Sequence, residues 1–147
     1  MARVSDPEAA GPARPDPRVG TLHHVELWVP DVARGRAEWG WLLTRLGYRP
    51  EQEWPAGSSW RLGPTYVVVE RSPALTADTH DRCRPGLNHL AFHAGDRQRV
   101  EDLVTEAADH GWTLMFADRH PHAGGPSHYA GFLCNSDGFE VELVAAG

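Results

Sequence analysis

The chain has only two cysteines, Cys83 and Cys134, and they fall in neither a metal-binding nor a redox spacing. A disulfide framework is therefore not expected, and a reducing cytoplasm is the default compartment. No apolar run approaches the roughly 18 residues of a membrane helix, so no membrane span is expected. A basic stripe is also missing. Arg34, Arg36, Arg45, Arg82, Arg84, Arg97 and Arg99 are scattered through a chain of net charge −6. Nucleic-acid surfaces concentrate cations on one face, so nucleic acid is not an expected partner. No glycine-rich loop joins a strand to a helix as a phosphate cradle would. Nucleophilic catalysis has no strong candidate, because nothing around Cys134 marks a lowered thiol pKa.

What remains is enough for a globule. With 147 residues, 41% apolar content and six tryptophans, the chain fits one domain, or two half-domains sharing a core. The opening MARVSDPEAAGPARPDPRVG is rich in Pro, Ala and Gly and lacks the apolar stretch of a signal peptide. Residues 1–20 are expected to form a flexible tail, and 21–147 a single domain.

That domain contains a repeat. His24 is followed seven residues later by Asp31, and His89 seven residues later by Asp96. Asp31 precedes Val32, Trp39, Leu42, Leu43 and Leu46, closed by Gly47-Tyr48. Asp96 precedes Val100, Leu103, Val104, Ala107 and Ala108, closed by Gly111-Trp112. Both sets step by three and four, which predicts amphipathic helices with an Asp N-cap and a C-terminal Gly. Strand-like runs follow each helix: 48–54, 58–62 and 65–70 in the first copy, 113–118, 129–134 and 139–144 in the second. Each copy reads as a βαβββ unit, module one over 21–71 and module two over 87–147, with 72–86 linking them.

Alternation along the strands then sorts the side chains. Val25, Leu27 and Val29 must pack on a helix, leaving His24, Glu26 and Trp28 on the other face, with His23 on the helix side or at the strand edge. Leu90 and Phe92 pack inward, leaving His89, Ala91 and His93. Phe139, Val141 and Leu143 pack inward, leaving Glu140 and Glu142. His24, His89 and Glu142 are thus all predicted on faces that helices do not cover.

Two βαβββ units, each opened by a strand-borne His, and a closing SDGFEVELV resemble the vicinal oxygen chelate superfamily. That superfamily includes glyoxalase I, bleomycin-resistance proteins, fosfomycin-resistance enzymes, methylmalonyl-CoA epimerase and extradiol dioxygenases. The resemblance covers roughly Leu22 to Val144. It implies an α+β fold in which the modules form a curved mixed sheet, a half-barrel cleft with helices on its outer face. It also implies a divalent metal in the cleft, with His24, His89 and Glu142 as ligands. Imidazole nitrogens and a carboxylate suit Fe, Mn, Ni, Co or Zn, and three protein ligands leave positions open for substrate oxygens. The family's fourth ligand position falls on Val68, which cannot coordinate; Glu70 serves only if the register is shifted by one pleat.

Other residues carry two readings. Glu26 can orient an imidazole, act as general base, or stand as a solvated carboxylate. Glu140 reads as a rim charge or a partner of a ligand, and His93 as cleft wall or edge. Trp28, Trp60, Tyr66 and Phe132, with Glu70, suit the wall of a substrate pocket; aromatics equally suit a core or a dimer interface. The loop DRHPHAGGPSHY carries His120, His122 and His128. It reads either as solvated chain or as a lid in which His128 or Tyr129 handles a proton. Extradiol dioxygenases resemble it in having a His there, but the Tyr they place before the final turn is replaced here by Phe132 or Leu133.

Two functions follow from different classes. One is a metal-dependent enzyme (lyase, isomerase, dioxygenase or transferase) acting on a small oxygen-chelating substrate. The alternative is a non-catalytic protein that sequesters a drug or natural product, as bleomycin-resistance members do. Under either, a homodimer is expected, because a half-barrel sheet leaves edges that a second chain can cover.

Overall fold

The computed structural model describes residues 14–147. Eight strands and two helices follow in the order β1 (His24–Trp28), α1 (Val32–Arg45), β2 (Arg49–Trp54), β3 (Gly57–Leu62), β4 (Thr65–Glu70), β5 (His89–His93), α2 (Arg97–Ala107), β6 (Trp112–Leu114), β7 (Ala130–Asn135) and β8 (Glu140–Val144). They form two four-stranded mixed sheets, ordered β1-β4-β3-β2 and β5-β8-β7-β6. The expected α+β fold of two βαβββ units is what forms, and the sheets do not close into a barrel. The tail expected over 1–20 lies outside the described residues up to position 13. Residues 16–19 form an exposed turn in which Arg18 pairs with Asp16 at 2.7 Å.

The helices start where the caps dictate. Asp31 and Asp96 are extended, and each accepts from the backbone N–H three residues on, Arg34 and Arg99, at 2.9 Å. Asp31→Ala is expected to cost about 1 kcal/mol, read as a lower denaturant midpoint with unchanged slope. After α2 a single 3-10 turn, Ala108–His110, leads to Gly111 at φ 82°. That left-handed conformation favours glycine. A Cβ there would also stand 2.4 Å from Glu38 Oε1, so a side chain at 111 would have to displace the Glu38 carboxylate.

This close approach belongs to the contact between the modules. Trp39 of α1 is fully buried, edge-on to Trp112 at 5.0 Å and to Phe139 at 5.7 Å. The Trp112 indole N–H donates to the Glu38 carbonyl at 3.0 Å. Around this apolar centre, Arg34 reaches the buried Asp137 at 2.6 Å and Arg45 reaches Glu106 at 2.8 Å. One hydrophobic core therefore runs through both modules, built from the helix-side faces of both sheets.

The expected strand limits shift by no more than one residue. The exception is the run expected over 113–118, which ends as β6 at Leu114. The chain turns at Phe116, whose φ is +53°, and an extended ladder cannot pass through that conformation.

Candidate active site

Register fixes what each uncovered face presents. In module one β1 pairs with β4 in parallel, with His24 opposite Tyr66, Glu26 opposite Val68 and Trp28 opposite Glu70. In module two His89 lies opposite Glu140, Ala91 opposite Glu142 and His93 opposite Val144. The two ladders are equivalent, so Val68 holds the place in module one that Glu142 holds in module two. Opposite partners share a face, which gives module one a face of His24, Glu26, Trp28, Tyr66, Glu70 and Arg61.

His24 stacks on Tyr66 at 4.7 Å and faces the Nδ1 of His23 at 2.9 Å through its own Nδ1. The Nε2 of His24 has no hydrogen-bond partner among the described residues. Trp28 donates to Glu26 at 2.8 Å, and Arg61 lies over the Tyr66 ring at 4.9 Å while paired with Glu51. His23, His24, Glu26, Arg61 and Tyr66 border a polar recess of about 380 Å³ lined by residues of module one alone, while Trp28 lines a separate recess with Leu75, His80 and Phe139. Trp60 does not join them. It pairs with Val67, is 5% exposed, and lies on the helix side, where a Cβ on Gly40 would meet its ring at 3.2 Å. Of the two readings for Trp60, the core one describes its position, because β3 presents it with the core-facing Val67 and Val69 and away from the His24 face.

Module two gathers its chemistry around Glu142, whose side chain is 10% exposed. One carboxylate oxygen lies 3.2 Å from His89 Nε2, and the other accepts from His128 Nε2. The His89 tautomer is set from behind. The Asn88 amide nitrogen donates to the Arg82 carbonyl at 3.0 Å, which leaves Asn88 Oδ1 to accept from His89 Nδ1 at 2.7 Å. His89 Nε2 then turns a lone pair toward a carboxylate, and that juxtaposition needs a proton or a cation between the two. Phe132 lies edge-on to His89 at 6.2 Å. Glu140 is not a rim charge: it is 4% exposed and paired with Arg82 at 2.9 Å. His93 ends β5 on the same face and is exposed.

Tyr129 points elsewhere. Its hydroxyl donates to Glu101 of α2 at 2.7 Å, on the helix side, so the expectation that Tyr129 handles a proton in the cleft is corrected. His120 meets the same carboxylate at 3.0 Å. Burial alone would raise the Glu101 pKa, but the Tyr129 and His120 hydrogen bonds outweigh it and hold it below its ordinary 4.5. The bond to Glu101 pushes the Tyr129 hydroxyl up. Burial, and then the Glu140 charge, push the Cys134 thiol up, which disfavours it as a nucleophile.

The lowered Glu101 pKa has a definite pH consequence. Its stabilising contribution is present above the ordinary carboxylate range and is lost as pH falls through the lowered folded value. The melting difference between wild type and Glu101→Gln is therefore expected at neutral pH and should vanish in strong acid. A difference that persists unchanged into acid would contradict the assignment.

No group of three or more His, Cys, Asp or Glu side chains able to hold a metal forms among the described residues. Of the three expected ligands the chain brings His89 and Glu142 together and leaves His24 on the other module. Imidazole and carboxylate donors suit a divalent ion, and the described residues bring two of the three expected donors together. The contact that sequence reasoning missed is His128 on Glu142; its signal was the histidine-rich loop entering β7, the strand that pairs with β8.

The family model of the glyoxalase/bleomycin resistance protein/dioxygenase superfamily matches residues 23–132. The chain is 44% identical over 126 residues to the uncharacterized protein YqjT of Bacillus subtilis, covering 84% of this chain and 98% of that one. It is 42% identical to a Bacillus halodurans protein provisionally assigned as a glyoxalase, with a TM-score of 0.83 over 88% of this chain and 98% of the other. A lactoylglutathione lyase from Agrobacterium tumefaciens shares the fold at 16% identity, with a TM-score of 0.61 over 90% and 96% of the two chains. Among the described residues no helix is long and apolar enough to cross a membrane.

Proposed function

Because this chain belongs to the glyoxalase/bleomycin resistance protein/dioxygenase superfamily, we propose that it is a metal-dependent enzyme acting on a small oxygen-chelating substrate. Its ligands are His89 and Glu142 of one chain with His24 of a second copy. The observation that carries this is the buried Glu142 carboxylate, faced by a His89 lone pair that Asn88 fixes. The dimer is supported by a His24 recess lined by module one alone and by sheets whose edge strands β1, β2, β5 and β6 have no ladder partner on one side among the described residues.

A divalent ion in this setting supplies Lewis-acid chemistry, polarising substrate oxygens or activating a water. The chain's own residues do the rest. Asn88 keeps the proton on His89 Nδ1 so that Nε2 stays available to coordinate. His128 binds the Glu142 oxygen that His89 does not face, and so orients the carboxylate. Glu26, held by the Trp28 indole at 2.8 Å, is the carboxylate nearest His24 along β1 and is suited to take a substrate proton. Trp28, Tyr66 and Phe132 supply aromatic walls, and Glu70 lies at the rim beside Trp28.

The test is metal content after incubation with Fe(II), Mn, Co, Ni or Zn and desalting. Wild type should retain about one ion per chain and His89→Ala none. Sequestration of a natural product without metal is the second reading, favoured by Val68 in the acidic ligand's place and by the separation of His24 from Glu142. It takes over if wild type holds no metal and a ligand quenches the 42%-exposed Trp28 without being turned over.

A further inference from the structure

We infer that Glu101, on the far side of the sheet from the site, is a positioning residue that sets His128 against Glu142 by fastening the loop 116–129 to α2. The inference rests on the reading of Glu142 as part of the working site. Its geometry is that of a strand entry. His128 and Tyr129 are consecutive at the entry to β7, and their side chains leave in different directions, His128 to Glu142 and Tyr129 to Glu101 of α2. Tyr129 is fixed in the backbone ladder by accepting from the Ala145 N–H at 2.9 Å, and on the helix side by donating to Glu101 at 2.7 Å. Arg97, one turn earlier on α2, lies over the Tyr129 ring at 4.9 Å. His120, near the loop's other end, meets Glu101 at 3.0 Å. One carboxylate thus ties down both ends of the loop, and the residue beside Tyr129 can only project toward Glu142.

Within the loop His128 has a seat of its own. A Cβ at Gly124 would stand 2.6 Å from the His128 ring, so the imidazole rests on the backbone of 124, where only glycine leaves room. His122 Nδ1, 3.1 Å from the His128 carbonyl, closes the loop across its base. These contacts make the loop a wall beside Glu142.

The experiment is imidazole NMR of metal-free full-length protein, with His128 and His89 signals assigned from His128→Gln and His89→Gln. Tyr129→Phe and Glu101→Gln should each lose the Glu142-bonded His128 signature, while the His89 Nδ1 proton, bonded to Asn88, keeps its own. Gly124→Ala, which leaves the Glu101 fastening intact, should produce the same loss by pushing the ring off its seat. General loosening of the module would release the His89 Nδ1 proton as well, and that result overturns the inference. So does an unchanged His128 in Tyr129→Phe and Glu101→Gln. No metal enters the measurement, so retention of the fastening in a protein that binds no metal would sink the proposed function and leave this inference standing.

Discussion

Trp39→Ala is expected to lower unfolding stability by about 3–5 kcal/mol, the range for truncating a buried tryptophan. The reason is position. Trp39 is fully buried and meets both Trp112 and Phe139 of module two. Truncation leaves a cavity that two rigid rings cannot collapse into, and it exposes the junction that holds the modules together. Since a domain of this size is stable by only about 5–15 kcal/mol, the variant should lose much of its margin. Urea denaturation monitored by far-ultraviolet circular dichroism measures the effect. A loss below about 1 kcal/mol would mean that each module is stable alone and that the shared core is incidental.

Glu142→Ala is expected to abolish metal retention while leaving the fold intact. The carboxylate is the anionic member of the set, and both of its oxygens are engaged by imidazoles. Those rings are 34% and 39% exposed, so water can replace the lost acceptor without burying an unpaired group. His128→Ala acts more mildly. It removes a partner of the carboxylate, not a ligand, and should weaken metal affinity about 10–100-fold. Titration calorimetry with Co(II) separates the two. Equal losses in both variants would make His128 a ligand in its own right.

The duplicated fold was legible because the signals for it are local. The Asp31 and Asp96 caps, the three- and four-residue apolar steps and the alternation along β1, β5 and β8 each depend on neighbours within a few residues. Alternation alone also placed His24, His89 and Glu142 on the uncovered faces. Trp60 was misread because its pairing with Val67 of β4 decides which parity of β3 faces the helix, and the short turn at 55–56 does not reveal that register. Tyr129 was misread because its partner, Glu101, is 28 residues away on a helix face that no strand pattern reveals. Local pattern was also silent on how the modules stand to each other. That arrangement is decided by Trp39 against Trp112 and Phe139, a packing choice between distant segments, and it leaves His24 apart from Glu142.

A metal site shared between two chains can be tested by mixing His24→Ala and Glu142→Ala under conditions where dimers exchange subunits, then measuring bound metal. Each variant alone should hold none. If His24 serves the partner subunit's site, a mixed dimer contains one site with both lesions and one with neither, and it should recover roughly one ion per dimer. Continued absence of metal in a mixture shown to contain mixed dimers would contradict the account.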